Sequence, residues 1–188
     1  MADDNWEILE SRYLLREWWM AVREDAVKLP TGVVLSRFHV VEVPDWVCVV
    51  GITAEGKVVL VRQYRHGVGQ TVLELPAGGI EDGEAVEDAA RREFSEETGY
   101  DASEWIALGS LFQDPSRQTN TAYIYAATGL KPGRSNPDPT EQLTIELADA
   151  SEVLNMIADG RLKHSTHVAA ILLAAAHPDL AIHFSAAD

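Results

Sequence analysis

The segment that most restricts this chain runs from Gly78 to Tyr100, where a glycine-rich loop, Gly78-Gly79-Ile80-Glu81-Asp82-Gly83-Glu84, leads into a long acidic stretch. The run EDGEAVEDAARREFSEETG reads as a helix that Gly99 stops. On that helix Glu93, Glu96 and Glu97 stand at i, i+3 and i+4, so three carboxylates share one face within a turn. Three like charges there repel one another, and an isolated ExxEE is most often a solvated face. The loop changes that reading. Gly78, Gly79 and Gly83 permit positive φ and close approach of the backbone to an anion or a metal, while Pro76-Ala77 fixes how the preceding strand exits. Glu84 lies two and a half turns before Glu93, at the mouth of the helix. Loop and helix thus form one site, and hard oxygen ligands on a short scaffold suit Mg²⁺ or Mn²⁺ better than zinc. Arg91 and Arg92 follow Glu87 and Asp88 at i+4 and order the helix by ion pairs worth a few tenths of a kcal/mol each.

Composition bounds what can surround such a site. The chain has 188 residues, 30 Asp/Glu against 15 Lys/Arg, a formal charge of -15 and 46% hydrophobic residues. A domain of this length buries roughly two-thirds of its unfolded surface and needs no disulfide or zinc staple. Its one cysteine, Cys48, makes no internal disulfide, reads as a small buried hydrophobe and fits a reducing, cytoplasmic setting. The acidic balance argues against nucleic acid and against anionic membranes, both of which are bound through clustered Lys/Arg. The N-terminus MADDNWEILESRYLL lacks the succession of a signal peptide, and no segment approaches about eighteen apolar residues in a row. The expectation is a soluble intracellular protein.

Residues 6–24 mix apolar and charged side chains without a clean period, and end at the turn signal Lys28-Leu29-Pro30-Thr31-Gly32. Residues 1–32 are therefore expected to be an N-terminal extension, with the main domain at 33–188. From Val33 the texture turns β-like: VVLSRFHVVEV, WVCVVGITA, KVVLVRQYR, and LELPAGG before the helix. WIALGSLF and TAYIYAATG predict two more strands around QDPSRQTN, and LTIELA another. Residues 129–142 read as a surface loop, and the helical stretches SEVLNMIADG and THVAAILLAAAH finish the chain. This order predicts an α+β fold, an α/β/α sandwich with a mixed central sheet.

The pattern Gly78-x5-Glu84-x7-Arg92-Glu93-Phe94-x-Glu96-Glu97-x-Gly99-Tyr100 resembles the Nudix box at every fixed position. Phe94 and Tyr100 stand where the family more often has an aliphatic residue. Beyond the box, VVLVRQYR, LELPAGGIEDGE and Pro115, fifteen residues after the box, look like the ADP-ribose and nucleoside-diphosphate-sugar pyrophosphatase branch, and the resemblance covers about residues 33–176. The resemblance implies that Glu93 and Glu97 are direct metal ligands, that Glu96 binds directly or through water, and that the Ala77 carbonyl supplies a further oxygen. It implies supporting roles for Arg92, which orients a box glutamate, and for Glu84, and a general base at Glu141 on a loop before the last strand, with Asp138 and Glu146 nearby. It implies a Mg²⁺-dependent hydrolase, Mn²⁺ also serving, that cleaves ADP-ribose or a nucleoside diphosphate sugar to a nucleoside monophosphate and a sugar phosphate.

Other residues carry two readings each. Arg65 could meet the substrate's phosphates or terminal ribose, or be a strand-edge surface arginine; Arg117, in the Asp114-Pro115-Ser116-Arg117 loop, could touch substrate; Trp46 could stack on a base or be buried in the core or an interface. His164-x-x-His167 has metal-like spacing but no third soft ligand in view, which favours capping or surface roles. Trp6, Trp18 and Trp19 with Tyr13 and Leu14 could be a cofactor box, but such an aromatic surface more often marks a subunit contact, and the resemblance implies that residues 1–32 are a β-rich extension through which the protein dimerises. Two alternatives stand beside the sugar pyrophosphatase: a Nudix hydrolase of another dinucleotide (NADH, FAD or a diadenosine polyphosphate), and a nucleotide sensor without catalysis. The sensor reading requires lost box carboxylates, and here none is lost.

Overall fold

The computed structural model describes residues 4–133 and 142–185. The chain divides into two compact units, Met1–Asp45 with Phe112–Thr121, and Trp46–Leu111 with Ala122–Asp188.

The first unit is an antiparallel meander, β1 (Glu7–Arg16), β2 (Ala21–Lys28) and β3 (Val34–Glu42), paired in that order. Residues 6–24 show no clean period because the β1–β2 register shifts between Ile8 and Glu10 and again between Tyr13 and Leu15. Each bulge swaps the faces of the residues that follow, so the alternation cancels along the strand. The turn foreseen at Lys28–Gly32 joins β2 to β3, with Gly32 at φ 85° and its N–H donating to the Leu29 carbonyl at 2.8 Å. In the central strand Ala21, Asp25 and Val27 are buried. The buried Asp25 carboxylate is bonded by Ser11 Oγ at 2.6 Å and Arg23 Nε at 2.9 Å, so its desolvation is compensated. Residues 112–121 join this unit through Val41, whose N–H donates to the Arg117 carbonyl at 2.8 Å.

The second unit is built on two sheets. One has the order β7-β4-β9-β8, from β7 (Ala77–Gly79), β4 (Trp46–Gly51), β9 (Thr121–Pro132) and β8 (Tyr100–Phe112). The other has the order β10-β5-β6, from β10 (Leu143–Asp149), β5 (Lys57–Arg65) and β6 (Gln70–Glu74). The parallel β4–β9 pair among antiparallel neighbours makes the arrangement mixed. Helices are α1 (Val86–Thr98), α2 (Ala150–Ala158), α3 (Ser165–Ala176) and α4 (Ala181–Phe184).

The period-2 geometry of β4 sorts its side chains into two cores. Val47 and Val49 pack with Ala89, Ala90 and Phe94 of α1, whereas Cys48 and Val50 pack with Ala170, Ile171 and Ala174 of α3 and with Val153 of α2. Helices thus cover both faces, which is the α/β/α sandwich expected from the sequence. A strand covered on both faces must be apolar throughout, which is why WVCVV reads as a continuous run. Phe94 is fully buried, and it fits because β4 ends in glycine: a Cβ on Gly51 would lie 2.5 Å from the Phe94 ring.

LELPAGG divides at Leu75-Pro76 into β6 and β7, β8 begins at Tyr100 rather than Trp105, and the elements differ from the sequence expectation in three further places. The helix starts at Val86, five residues after Glu81, because Gly83 at φ 79° closes a turn in which Glu84 N–H donates to the Glu81 carbonyl at 3.0 Å. Strand β9 continues to Pro132, into the stretch read as loop. The short helix α4 follows the two foreseen at the C-terminal end. No helix among the described residues is long and apolar enough to cross a membrane.

Candidate active site

The site is assembled at the corner between β6 and β7. After Glu74 the chain passes through Leu75-Pro76 and pairs Ala77 with Cys48, Gly78 with Val47 and Gly79 with Trp46, antiparallel. Proline carries no N–H, and the neighbouring backbone groups find partners elsewhere. The Pro76 carbonyl accepts from Val49 N–H at 2.9 Å. Ala77 N–H donates to Glu97 Oε2 at 3.0 Å, and Leu75 N–H donates to His167 Nδ1 at 2.9 Å.

Helix α1 brings its acidic face to this corner. Glu87 and Asp88 occupy its first turn, where the helix dipole favours carboxylates, and Gly99 ends it at φ 69° with its N–H donating to the Ser95 carbonyl at 2.8 Å. Glu97 is a buried carboxylate, 2% exposed. Glu93 lies so close to Gly78 that a Cβ there would collide with its carboxylate. The sequence predicts both positive φ and close approach for the loop glycines; among Gly78, Gly79 and Gly83 only Gly83 has positive φ. Gly78 is needed for space.

Arg92 offsets the crowding of carboxylates. Its Nε and Nη2 each donate to Glu84 at 2.8 Å, its Nη1 to Glu93 Oε1 at 2.7 Å and to Glu96 Oε2 at 3.4 Å, and its Nη2 to the Gly79 carbonyl at 3.0 Å. Glu84 Oε2 also accepts from Glu81 N–H at 3.0 Å, which closes the loop onto the helix. The Arg92 bonds hold the Glu84 carboxyl down at about 2, and the same carboxylates push the guanidinium pKa up. A single cation thus ties Glu84, Glu93, Glu96 and the Gly79 backbone together.

A second cluster lies on the other side of the same corner. Glu74, 1% exposed, accepts from Arg65 Nε at 2.7 Å. One ligating atom each from Glu74, His164 and His167 falls within 4.8 Å of the others. The His164 and His167 rings stack at 4.0 Å, and Trp46 packs on them at 5.9 and 5.8 Å. Burial lowers the pKa of both histidines, His167 the further of the two. Glu74 was not singled out by the sequence reading. Its signal is a carboxylate inside the apolar LELP run, where alternation offers it no solvent face.

Glu84, Arg92, Glu93, Glu96, Glu97 and Ala77 therefore meet along one face of α1, and Trp46 and Arg65 meet at the neighbouring cluster. Trp46 is half-buried, and Arg65 keeps its side chain 43% exposed. Pro115 and Arg117 are exposed residues of the first unit, in a turn where Ser116 N–H donates to Asp114 Oδ1 at 3.2 Å. Glu141 and Asp138 lie outside the described residues. Glu146, on β10, is ion-paired with Arg62 at 2.7 Å.

The donors that Ala77, Glu93, Glu96 and Glu97 offer are all oxygens, one a backbone carbonyl, and this set fits a hard divalent ion. The buried Glu97 and the glycine-dependent contact of Glu93 would hold it.

Comparison with known proteins agrees with the geometry. Residues 44–169 match the NUDIX domain, and residues 6–41 match the nucleoside diphosphate sugar hydrolase N-terminal domain. The chain belongs to the Nudix family and is a hydrolase of that family. An ADP-ribose pyrophosphatase of Mycobacterium tuberculosis is 33% identical over 175 residues, 92% of this chain and 84% of that one. A methanol dehydrogenase activator of Bacillus methanolicus is 34% identical over 149 residues, 78% of this chain and 80% of that one. A crystal structure of an ADP compounds hydrolase superposes with a TM-score of 0.81 at 25% identity, covering 89% of this chain and 91% of its own.

Proposed function

We propose that this chain is a divalent-metal-dependent pyrophosphatase of ADP-ribose or a nucleoside diphosphate sugar, releasing a nucleoside monophosphate and a sugar phosphate. The observation that carries the reading is the meeting of the α1 carboxylates with the Ala77–Gly78 backbone, Glu97 through a bond and Glu93 through a contact that only glycine permits. Similarity of residues 6–41 to the N-terminal domain of nucleoside diphosphate sugar hydrolases supports the substrate class.

The substrate diphosphate is anionic and the chain carries a formal charge of -15, so the charge must be compensated locally. Mg²⁺, or Mn²⁺ in its place, held by Glu93, Glu96, Glu97 and the Ala77 carbonyl would supply that compensation and acidify a bound water. Arg92 fixes the orientation of Glu93 and Glu96 between turnovers, and Glu84 holds Arg92 in place. Glu141 accepts the proton of the attacking water. Arg65, steadied through Nε by Glu74, turns the rest of its guanidinium to the phosphates or the terminal ribose, and Trp46 offers an aromatic face to a base.

The protein is proposed to act as a cytoplasmic homodimer. All ten residues of β1 are exposed, Ile8, Leu9, Tyr13, Leu14 and Leu15 among them, with Trp6, Trp18 and Trp19 at its ends. Such a surface is stabilised by a second copy of itself.

The test is hydrolysis of a panel of ADP-ribose, GDP-mannose, UDP-glucose, NADH, FAD and a diadenosine polyphosphate, with Mg²⁺ and with EDTA, the products separated by chromatography. EDTA-sensitive release of a nucleoside monophosphate from ADP-ribose or a nucleotide sugar is expected. Preference for NADH, FAD or the diadenosine compound overturns the substrate class, and binding without turnover anywhere in the panel overturns catalysis.

A further inference from the structure

The β6–β7 corner is held from both faces of the sandwich. From one side α1 receives Ala77 N–H on Glu97; from the other, α3 receives Leu75 N–H on His167, a residue 92 positions further along the chain. Leu75 is fully buried. The β5–β6 ladder stops at Glu74, paired with Val61, and Pro76 follows with no donor of its own. The Leu75 amide therefore depends on a side chain, and leaving it unpaired would cost about 1–3 kcal/mol.

The imidazole is fixed for that task. His167 is 1% exposed, stacks on His164 at 4.0 Å and lies against Trp46 at 5.8 Å, so its ring has little room to turn. A neutral imidazole that accepts at Nδ1 carries its proton on Nε2. This tautomer bears on the Glu74–His164–His167 group, whose ligating atoms are near enough to hold an ion. With Nδ1 occupied by the Leu75 amide, a metal on Nε2 would require the ring to lose both protons. Glu74 in turn accepts from Arg65. His167 Nδ1 and Glu74 Oε2 are thus engaged within the protein, which leaves them poorly placed to hold an ion.

We propose that His167 is a positioning residue for the active site: by accepting the Leu75 amide it sets the corner that presents the Ala77 carbonyl and the Gly78 backbone to Glu97 and Glu93. The proposal rests on the ligand assignment made under Proposed function. Its effect is expected on ion affinity, because the corner carries a donor to the ion, while nucleotide contacts are left in place.

Three substitutions separate acceptor from bulk. In His167→Asn the amide oxygen can occupy the place of Nδ1; in His167→Gln it reaches the place of Nε2; in His167→Leu no acceptor remains. Mn²⁺ binding measured directly by electron paramagnetic resonance should weaken about ten-fold in the Leu and Gln variants and stay within about two-fold of wild type in the Asn variant. The Mg²⁺ concentration for half-maximal turnover should move in parallel, with KM for nucleotide unchanged. Thermal unfolding identifies a Leu variant that fails to fold, and the Asn–Gln contrast then decides. Nitrogen-15 spectra of the ion-free protein should place the His167 proton on Nε2.

Equal losses in Asn and Gln, undisturbed Mn²⁺ binding in a folded Leu variant, or a protonated Nδ1 would each overturn the proposal. So would tight binding of Zn²⁺ alone that shifts both histidine rings. Glu97→Gln keeps the two levels apart. If it binds Mn²⁺ as wild type does, the ligand assignment fails and the positioning role falls with it. If it loses Mn²⁺ while His167→Leu does not, only the positioning role falls.

Discussion

The β4–β7–α1 region and the β1–β3 meander are both rich in apolar residues, yet they dispose of them in opposite ways. In β4 every residue from Val47 to Gly51 is buried, whereas in β1 none is. The first region satisfies itself: two helical layers cover the sheet, and its polar corner is bonded from both sides. The second is held within its own unit by cross-strand ion pairs, Arg12–Glu24 at 2.7 Å and Lys28–Glu7 at 3.4 Å, over a small buried set. Exposed pairs of this kind contribute little, typically below about 1 kcal/mol. The contrast separates a region that gathers its carboxylates round one buried corner from one that leaves its apolar residues exposed.

The contrast breaks most sharply at the acidic corner. Glu97→Gln should lower metal-dependent turnover by about a hundred-fold or more while thermal unfolding shifts little, since ion-based charge stabilisation is worth several kcal/mol. Glu141→Gln should reduce kcat by a similar order with KM nearly unchanged, and steady-state kinetics would move the base elsewhere if kcat held. Gly78→Ala should cost on the order of ten-fold in activity, because the new methyl displaces the Glu93 carboxylate; wild-type kinetics in that variant would mean that Glu93 has another workable position.

In the meander, Ile8→Glu combined with Leu14→Glu should halve the mass measured by light scattering. A single-chain mass already in the wild type would remove the association reading. The smallest effect is expected in acid. The Glu84 carboxyl is held at about 2 against an ordinary 4.5, so its contribution to stability is complete above about pH 4.5 and is lost as pH falls toward 2. Glu84→Gln should flatten the melting temperature across that window, and an unchanged slope would assign the acid sensitivity to other carboxylates.

Much of the active corner was legible in the sequence because its constraints are local. The i, i+3, i+4 glutamates, the stop at Gly99 and the apolar run of β4 are each written in neighbouring residues. What escaped is long-range or cancels locally. His167 and Glu74 are joined to the corner across the fold, and His164-x-x-His167 shows its third partner only when β6 arrives beside α3. The reason for Gly78 is a neighbour's side chain, not its own torsion. The first strand was blurred by two register shifts, which erase the alternation that names a strand.

The fit of Phe94 over Gly51 has an evolutionary consequence. At the aromatic position the family more often carries a smaller aliphatic residue, which would free the space that a side chain at position 51 needs. In this chain the two sites are bound to one another: a larger residue at 51 would meet the ring, and trimming the ring alone opens a hole beneath α1. Neither can drift singly, so an inherited change at one should carry the mark of a change at the other.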